Sequence, residues 1–286
     1  MLSYSETFVQ EIHDPILDQA GARLLIKRED LNHPLVSGNK WWKLKYNLME
    51  AVELRHHTLL TFGGAYSNHI YATAAAAYEL GLKSIGIIRG EETLPLNTTL
   101  SFAASKGMHL HYVSRESYRN KTAQTFINNL HAQFGDFYLI PEGGTNELAV
   151  KGVTEFAQTL GTDFDYLCCA AGTGGTMAGL INGVSPQKKV IGFPVLKGGQ
   201  FLNEEIEKLL TSPRNNWQLI TDYHFGGYGK MPLKLIDFIR NFELNQSIRL
   251  DPVYTGKAMF GLLHTISMDF FPKGSAILFL HTGGLR

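Results

Sequence analysis

The feature that most constrains this chain is a regular alternation of short apolar runs with longer helical stretches. The predicted strands are residues 23–27, 58–62, 84–88, 108–113, 137–140, 166–171 and 190–195. The predicted helices are residues 40–54, 68–80, 98–106, 121–134, 146–160, 176–184 and 202–210. Strands that alternate with helices of this length predict an α/β fold, with mainly parallel sheets and helices on both faces.

Composition and charge exclude several classes of function. The chain has 286 residues, enough for one large domain or two ordinary ones. Its 26 basic and 26 acidic side chains balance, so no overall field favours nucleic acid or an anionic membrane. The two cysteines are adjacent and cannot form a disulfide framework, and residues 1–12 do not resemble a signal peptide. We therefore expect a cytoplasmic protein with a small-molecule partner and no metal site.

The first candidate site residue is Lys40, which follows Gly38 and Asn39 at the start of a predicted helix. A solvated lysine in the first helical turn is the simplest interpretation. A helix N-terminus, however, disfavours a cation and so favours the neutral amine that Schiff-base chemistry requires. The motif by itself leaves both interpretations open.

A second motif, residues 63–69, places Ser67, Asn68 and His69 between a predicted strand and an alanine-rich helix. Ser67 or Asn68 is a natural N-cap, and a capped helix alone would explain the motif. A strand, a glycine turn and a helix N-terminus also form a carboxylate or phosphate site, because the first N–H groups of a helix are unpaired. Both interpretations stay open.

A third motif contains Thr173, Gly174, Gly175 and Thr176, directly after an apolar strand. Small residues let the backbone approach an anion, and threonine hydroxyls can donate to it. A dinucleotide site would also require an acidic residue about 20 positions later to hold the ribose. Residues 188–200 contain no Asp or Glu, so the motif favours a smaller phosphate, such as that of pyridoxal 5'-phosphate (PLP).

Two tyrosines and a threonine complete the pattern: Tyr228 in a glycine-rich stretch, Tyr254, and Thr282 near the C-terminus. Together, and in order from Leu25 to Leu285, the motifs resemble the PLP-dependent family that contains D-cysteine desulfhydrase and 1-aminocyclopropane-1-carboxylate (ACC) deaminase. The resemblance implies the tryptophan synthase β-like fold (fold type II), with two open, twisted, mainly parallel sheets and helices on both faces. It also implies a homodimer.

The resemblance further implies a division into two domains. A large PLP-binding domain would consist of residues 1–45 and 156–286. A small domain, residues 46–155, would be inserted between these two segments, and PLP would lie in the cleft between the domains.

The resemblance also implies a role for each candidate residue. The predicted catalytic residues are Lys40, Ser67, Tyr228 and Tyr254. The predicted cofactor-binding residues are Lys40, Asn68, Thr173, Gly174, Gly175, Thr176 and Thr282. The substrate carboxylate would bind to Ser67, Asn68 and His69. Thr282 would lie at the pyridine nitrogen, where a neutral hydroxyl leaves that nitrogen unprotonated and suits elimination.

Two positions favour the desulfhydrase side of this family. ACC deaminases carry a glutamate after the second tyrosine and a leucine near the end, where this chain has Thr255 and Thr282. The predicted reaction is α,β-elimination of a small D-amino acid such as D-cysteine to pyruvate, sulfide and ammonia, a step in amino-acid metabolism. Trp41, Trp42 and Tyr66 depart from the family pattern, and the sequence leaves open whether they reshape the pocket.

Other functions remain compatible with the same motifs. ACC deamination would use the same fold and cofactor, as would a racemase or a dehydratase of a related D-amino acid. A catalytically silent PLP-binding protein is an alternative from a different class.

Overall fold

The computed structural model describes residues 2–161 and 163–285, and its strands and helices alternate as the sequence predicts. The strands are β1 (Val9–Ile12), β2 (Arg23–Lys27), β3 (Thr58–Gly63), β4 (Lys83–Arg89), β5 (Met108–Val113), β6 (Tyr138–Ile140), β7 (Tyr166–Ala171), β8 (Lys189–Pro194), β9 (Trp217–Leu219) and β10 (Ala276–Leu280). The helices are α1 (Pro15–Ala20), α2 (Asn39–Glu53), α3 (Asn68–Glu79), α4 (Thr98–Ser105), α5 (Arg115–Arg119), α6 (Gln124–Phe134), α7 (Glu147–Thr159), α8 (Gly175–Gly183), α9 (Leu202–Glu207), α10 (Leu233–Gln246) and α11 (Thr255–Ser267).

The larger sheet has six strands in the order β1-β2-β10-β7-β8-β9. β1 pairs antiparallel with β2, whereas the other neighbours pair in parallel. β10 lies between β2 and β7, with Leu278 in register with Leu25 on one side and Leu167 on the other. Segments from near both ends of the chain therefore meet in one sheet.

Successive residues of the central strand β7 face different helical layers. Leu167 and Cys169 pack in a core with residues of α2, α7 and α8. Tyr166 and Cys168 pack in a second core with residues of α1, α10 and α11. Because side chains alternate along a strand, helices that cover both faces require apolar residues at every position. The predicted helices on both faces are confirmed for this sheet.

The smaller sheet has four parallel strands in the order β5-β4-β3-β6. Leu60 and Phe62 of β3 pack with residues of α6, and Ile88 of β4 packs with residues of α3 and α4. All four strands lie within the predicted small domain. The predicted domain bounds, 45/46 and 155/156, fall inside α2 and α7, so the chain passes between the sheets through two continuous helices.

These two connecting helices pack closely against each other. A Cβ atom on Gly152 of α7 would lie 2.1 Å from the carbonyl oxygen of Trp42 in α2, so only glycine permits this approach. In residues 2–161 and 163–285, no helix combines the length and apolar character that crossing a membrane requires.

Candidate active site

A cavity of about 530 Å³ opens where the carboxyl ends of strands from both sheets meet. Its walls come from the segments that follow β3, β6, β7, β8 and β10. The carboxyl edge of parallel strands is where α/β proteins usually bind ligands. The predicted site residues in its walls are Lys40, Ser67, Asn68, His69, Thr173, Gly174, Thr176, Tyr228, Tyr254 and Thr282. Gly175 does not line the cavity but directly follows Gly174, as the first residue of α8.

Lys40 is the second residue of α2, and the backbone before it is tightly held. Asn32 accepts a hydrogen bond from the Gly38 amide (2.8 Å) and donates one to the Gly38 carbonyl (3.0 Å). Asn39 donates to the Thr176 hydroxyl at 2.7 Å, which connects the lysine turn to the glycine loop after β7. Lys40 Nζ donates to Asn39 Oδ1 at 3.3 Å. The lysine is half-buried in the cavity wall and is not a solvated surface residue.

The start of α3 carries the second group of predicted residues. Ser67 caps the helix, and its hydroxyl accepts from the Ile70 amide. His69 donates from Nε2 to the Thr61 hydroxyl at 2.7 Å, because that hydroxyl itself donates to the Ile140 carbonyl. Burial, then the charges of two cavity lysines, lowers the pKa of His69 well below its usual value, so the imidazole is neutral.

The neutral imidazole leaves an acceptor in the cavity wall. Nδ1 of His69 and Oδ1 of Asn68 are both buried, and neither has a hydrogen-bond partner within the described chain. Buried polar atoms without partners are rare in folded proteins and often mark a ligand site. The start of α3 therefore has the properties of a ligand site as well as a helix cap.

The glycine loop after β7 ends at the N-terminus of α8. Gly174 has a φ of +81°, a conformation that favours glycine. A Cβ atom on Gly175 would lie 2.9 Å from the Thr145 hydroxyl and 3.3 Å from Lys43 Nζ. The absence of a side chain there lets the backbone approach a hydroxyl and an amine. A helix N-terminus surrounded by such groups is suited to an anion.

Gly174→Val is expected to weaken cofactor retention and to destabilise the fold. The positive φ strains a β-branched residue by about 1–3 kcal/mol, and its Cβ would lie 3.0 Å from Ile206 Cγ1. Cofactor content after dialysis and urea unfolding measure the two effects. Gly107→Val is the matched control, since Gly107 has a φ of +79° and no atom within 4 Å of the added Cβ. Equal cofactor content in the two variants would contradict an anion site in the loop.

The two tyrosines lie against each other in the cavity wall. Tyr254 immediately precedes α11, and Tyr228 lies in the loop between β9 and α10. Their ring centroids are 6.2 Å apart in an edge-to-face arrangement. Tyr254 also approaches the glycine loop, because a Cβ atom on Gly172 would lie 3.1 Å from its ring. Both rings therefore line the same cavity.

Thr282 follows β10 and lines the cavity, but Thr255 does not. The Thr255 hydroxyl accepts a hydrogen bond from the Asp251 amide at 2.7 Å, and its side chain is fully buried. Only one of the two threonines that distinguish this chain from ACC deaminases therefore contacts the cavity.

Trp41 and Trp42 do not line the cavity either. Trp42 donates from its indole to the buried carboxylate of Glu29, and Trp41 donates to the Ser3 carbonyl. Tyr66 is 46% exposed and also lies outside the cavity wall. The tryptophans anchor α2 against the N-terminal segment.

The structure adds Lys43 to the predicted site. It lies one helical turn after Lys40 on α2, is 1% exposed, and donates to the Thr145 hydroxyl at 2.9 Å. Burial, then the charge of Lys40, lowers the pKa of Lys43 well below its usual value. A nearby anion would stabilise its ammonium form. The spacing of three residues, which places both lysines on one helical face, was the signal in the sequence.

Arg89 is a second addition, at the end of β4. Its guanidinium lies 5.9 Å from the Tyr228 ring centroid. Arg89 lines the cavity, and so do Lys121 and Glu142, which form a salt bridge with each other. Within residues 2–161 and 163–285, Arg89 has no carboxylate within salt-bridge distance. A charged residue at the end of an apolar strand is common, so no sequence signal identified it.

Comparison with known proteins decides the family. The model of a family described as "pyridoxal-phosphate dependent enzyme" matches residues 10–283. The chain belongs to this family. A Pyrococcus furiosus protein provisionally named a 1-aminocyclopropane-1-carboxylate deaminase is 33% identical, and the alignment covers 93% of this chain and 85% of that protein. The mitochondrial "bifunctional D-cysteine desulfhydrase/1-aminocyclopropane-1-carboxylate deaminase" of Arabidopsis thaliana is also 33% identical, with coverage of 93% and 73%.

Solved structures agree with the family assignment. A crystal structure described as an ACC deaminase homologue superposes with a TM-score of 0.86 at 32% identity, covering 100% of this chain and 91% of that one. The O-acetylserine-dependent cystathionine β-synthase of Helicobacter pylori shares the fold at a TM-score of 0.71 and 17% identity, with coverage of 98% and 93%. The predicted fold type II and the predicted class, a PLP-dependent lyase or deaminase, are confirmed.

The residues around the cavity fit PLP. The Lys40 amine matches the aldehyde of the cofactor. The helix N-terminus with its glycines and threonine hydroxyls, together with the buried Lys43, matches the phosphate. The partnerless atoms of Asn68 and His69 are polar groups that a ligand would satisfy. The roles of the individual residues remain predictions.

Proposed function

We propose that this enzyme catalyses α,β-elimination of a small D-amino acid such as D-cysteine, giving pyruvate, sulfide and ammonia. The observation that carries the proposal is Thr282, whose side chain brings an uncharged hydroxyl to the cavity wall at the position where ACC deaminases have leucine. Bound PLP supplies an electron sink for the charge that develops at the substrate α-carbon. Because a thiolate is a good leaving group, a modest electron sink is sufficient for this reaction.

The residues of this chain would divide the work between binding and proton transfer. Ser67 and the free N–H groups at the start of α3 would bind the substrate carboxylate. The Lys40 amine would take the α-proton, and Tyr228 or Tyr254 would donate a proton to the leaving sulfur. His69 adds no charge, since its imidazole is neutral, and its backbone N–H, with that of Asn68, would donate to the substrate carboxylate.

ACC deamination is the second candidate, because three of the relatives described above carry that activity in their names. Ring opening breaks a carbon–carbon bond without so good a leaving group, and an acidic residue near the pyridine nitrogen would then contribute more. This chain has Thr255 where ACC deaminases carry a glutamate. Thr255 lies outside the cavity wall, and its hydroxyl accepts a hydrogen bond from the Asp251 amide, so this position adds no acidic group to the cavity.

The substrate preference is tested by a panel with the PLP-loaded enzyme. D-Cysteine is expected to give pyruvate and sulfide faster than ACC gives 2-oxobutyrate, because only D-cysteine carries a thiol leaving group. L-Cysteine, D-serine and a Lys40→Ala sample serve as controls. Faster turnover of ACC would make the proposal wrong, and no reaction with either compound would point to another small amino acid as the substrate.

A further inference from the structure

Lys257 is a buried lysine outside the cavity that contacts the loop carrying Tyr228. Its side chain is 1% exposed and lies on α11, three residues after Tyr254. Its Nζ donates to the carbonyl oxygens of His224 at 3.0 Å and Gly227 at 2.7 Å. One ammonium group therefore holds two points of a single loop.

The two carbonyls belong to consecutive turns around Tyr228. The His224 carbonyl also accepts from the Gly227 amide, and the Gly227 carbonyl also accepts from the Lys230 amide. Gly226, Gly227 and Gly229 all have positive φ values. A segment with so many glycines loses much conformational entropy when it is ordered, so external contacts are needed to fix it.

The ammonium is retained despite its burial. Desolvation lowers the pKa of Lys257 to about 8, whereas the charge of Asp251 raises it, so the group is still mainly protonated at neutral pH. Within the described residues no carboxylate lies within salt-bridge distance of Lys257. Charge-assisted hydrogen bonds to the two carbonyls are the contacts that offset its desolvation.

We infer that Lys257 is a positioning residue that fixes Tyr228 against Tyr254 for proton transfer. It connects the helix that begins after Tyr254 with the loop that carries Tyr228, and the two rings lie in contact. Without the two hydrogen bonds of Lys257, Tyr228 would occupy its position beside Tyr254 for only part of the time. The inference rests on the proposed function for its catalytic consequence, whereas the effect on the loop does not depend on the substrate.

The test compares Lys257→Met, which removes both donors, with Lys257→Gln, which keeps an N–H donor. Lys230→Met is the matched control, because Lys230 lies in the same loop and is exposed. Hydrogen exchange of the PLP-loaded protein is expected to become faster in residues 224–230 of Lys257→Met and to stay unchanged in residues 172–176. The exchange rate of residues 224–230 in Lys257→Gln is expected to lie between the rates in Lys257→Met and in the wild type.

The kinetic expectation is a lower kcat with little change in KM or in PLP content. Misplacing a proton donor by about 1 Å costs about 10- to 100-fold in rate, so Lys257→Met should fall in that range. In a Tyr228→Phe background, Lys257→Met should cause little further loss of kcat, because Lys257 acts through Tyr228.

Three outcomes separate the inference from the proposed function. Unchanged exchange in residues 224–230, or a full additional loss of kcat in the Tyr228→Phe background, would overturn the inference. Faster loop exchange in Lys257→Met with no reaction of the wild type on D-cysteine would support the role in the loop and reject the substrate. Normal kcat of Lys257→Met on a substrate that the wild type converts would reject the inference alone.

Discussion

Lys40→Ala is expected to reduce turnover by about 10³-fold or more, since general acid–base catalysis alone contributes about 10²- to 10⁴-fold. The variant loses the amine that lies in the cavity wall between the glycine loop and α3. PLP should still bind, more weakly, through the loop of residues 172–176. Steady-state rates and the cofactor absorbance of the dialysed protein measure the two effects separately.

The matched control for Lys40→Ala is Lys45→Ala, on the same helix. Lys45 pairs with Glu155 outside the cavity, so its removal should leave turnover unchanged. Borohydride reduction followed by peptide mapping is expected to find the cofactor on Lys40 and not on Lys43. Labelling of Lys43, or full activity of Lys40→Ala, would contradict the assignment of the reactive lysine.

Gly38→Ala is expected to have the largest effect on stability, a loss of about 3 kcal/mol or more in the free energy of unfolding. Gly38 has a φ of +68°, and an added Cβ would lie 2.0 Å from the Thr282 carbonyl oxygen. The Thr282 carbonyl group and the Gly283 amide nitrogen, which the added Cβ would meet, are backbone and cannot rotate away as a side chain could. Because the lysine turn would shift, PLP content should fall as well. Urea unfolding and cofactor absorbance measure the two changes.

Gly81→Ala is the control that separates the clash from the strain. Gly81 has a φ of +69° and no atom within 4 Å of an added Cβ, so only the conformational penalty of about 1–2 kcal/mol applies. The difference between the two variants measures the contact between the lysine turn and the segment after β10. Equal stability would mean that this contact is loose.

The candidate site was predicted largely from local signals. Lys40, Ser67 and Gly174 each lie at the junction of a predicted element with a glycine turn, and such junctions are visible within a few residues of sequence. The helices and strands that meet at these junctions begin within one residue of their predicted starts. Apolar periodicity and helix caps are local properties, so a short stretch of sequence is enough to locate them. Their functional roles came from the resemblance and not from the local signals.

Three strands, β1, β9 and β10, were not predicted, for different reasons. β1 is an edge strand in which only Ile12 is buried, so it shows no clear apolar alternation. β9 has only three residues. The apolar run of β10 fits a buried strand or a buried helix equally well, and only its pairing with β2 and β7 distinguishes them. The segment predicted as one helix, residues 121–134, begins as a helix only at Gln124.

The sequence by itself determined the alternation of strands and helices, the glycine turns and the lysine at the start of α2, because each depends on neighbouring residues along the chain. Only the tertiary structure decided that β10 lies between β2 and β7, which brings Thr282 to the lysine turn. It likewise placed Arg89 inside the cavity wall and Thr255 outside it. Strand order and the direction of a buried side chain depend on contacts between residues far apart in the chain, and no local pattern specifies those contacts.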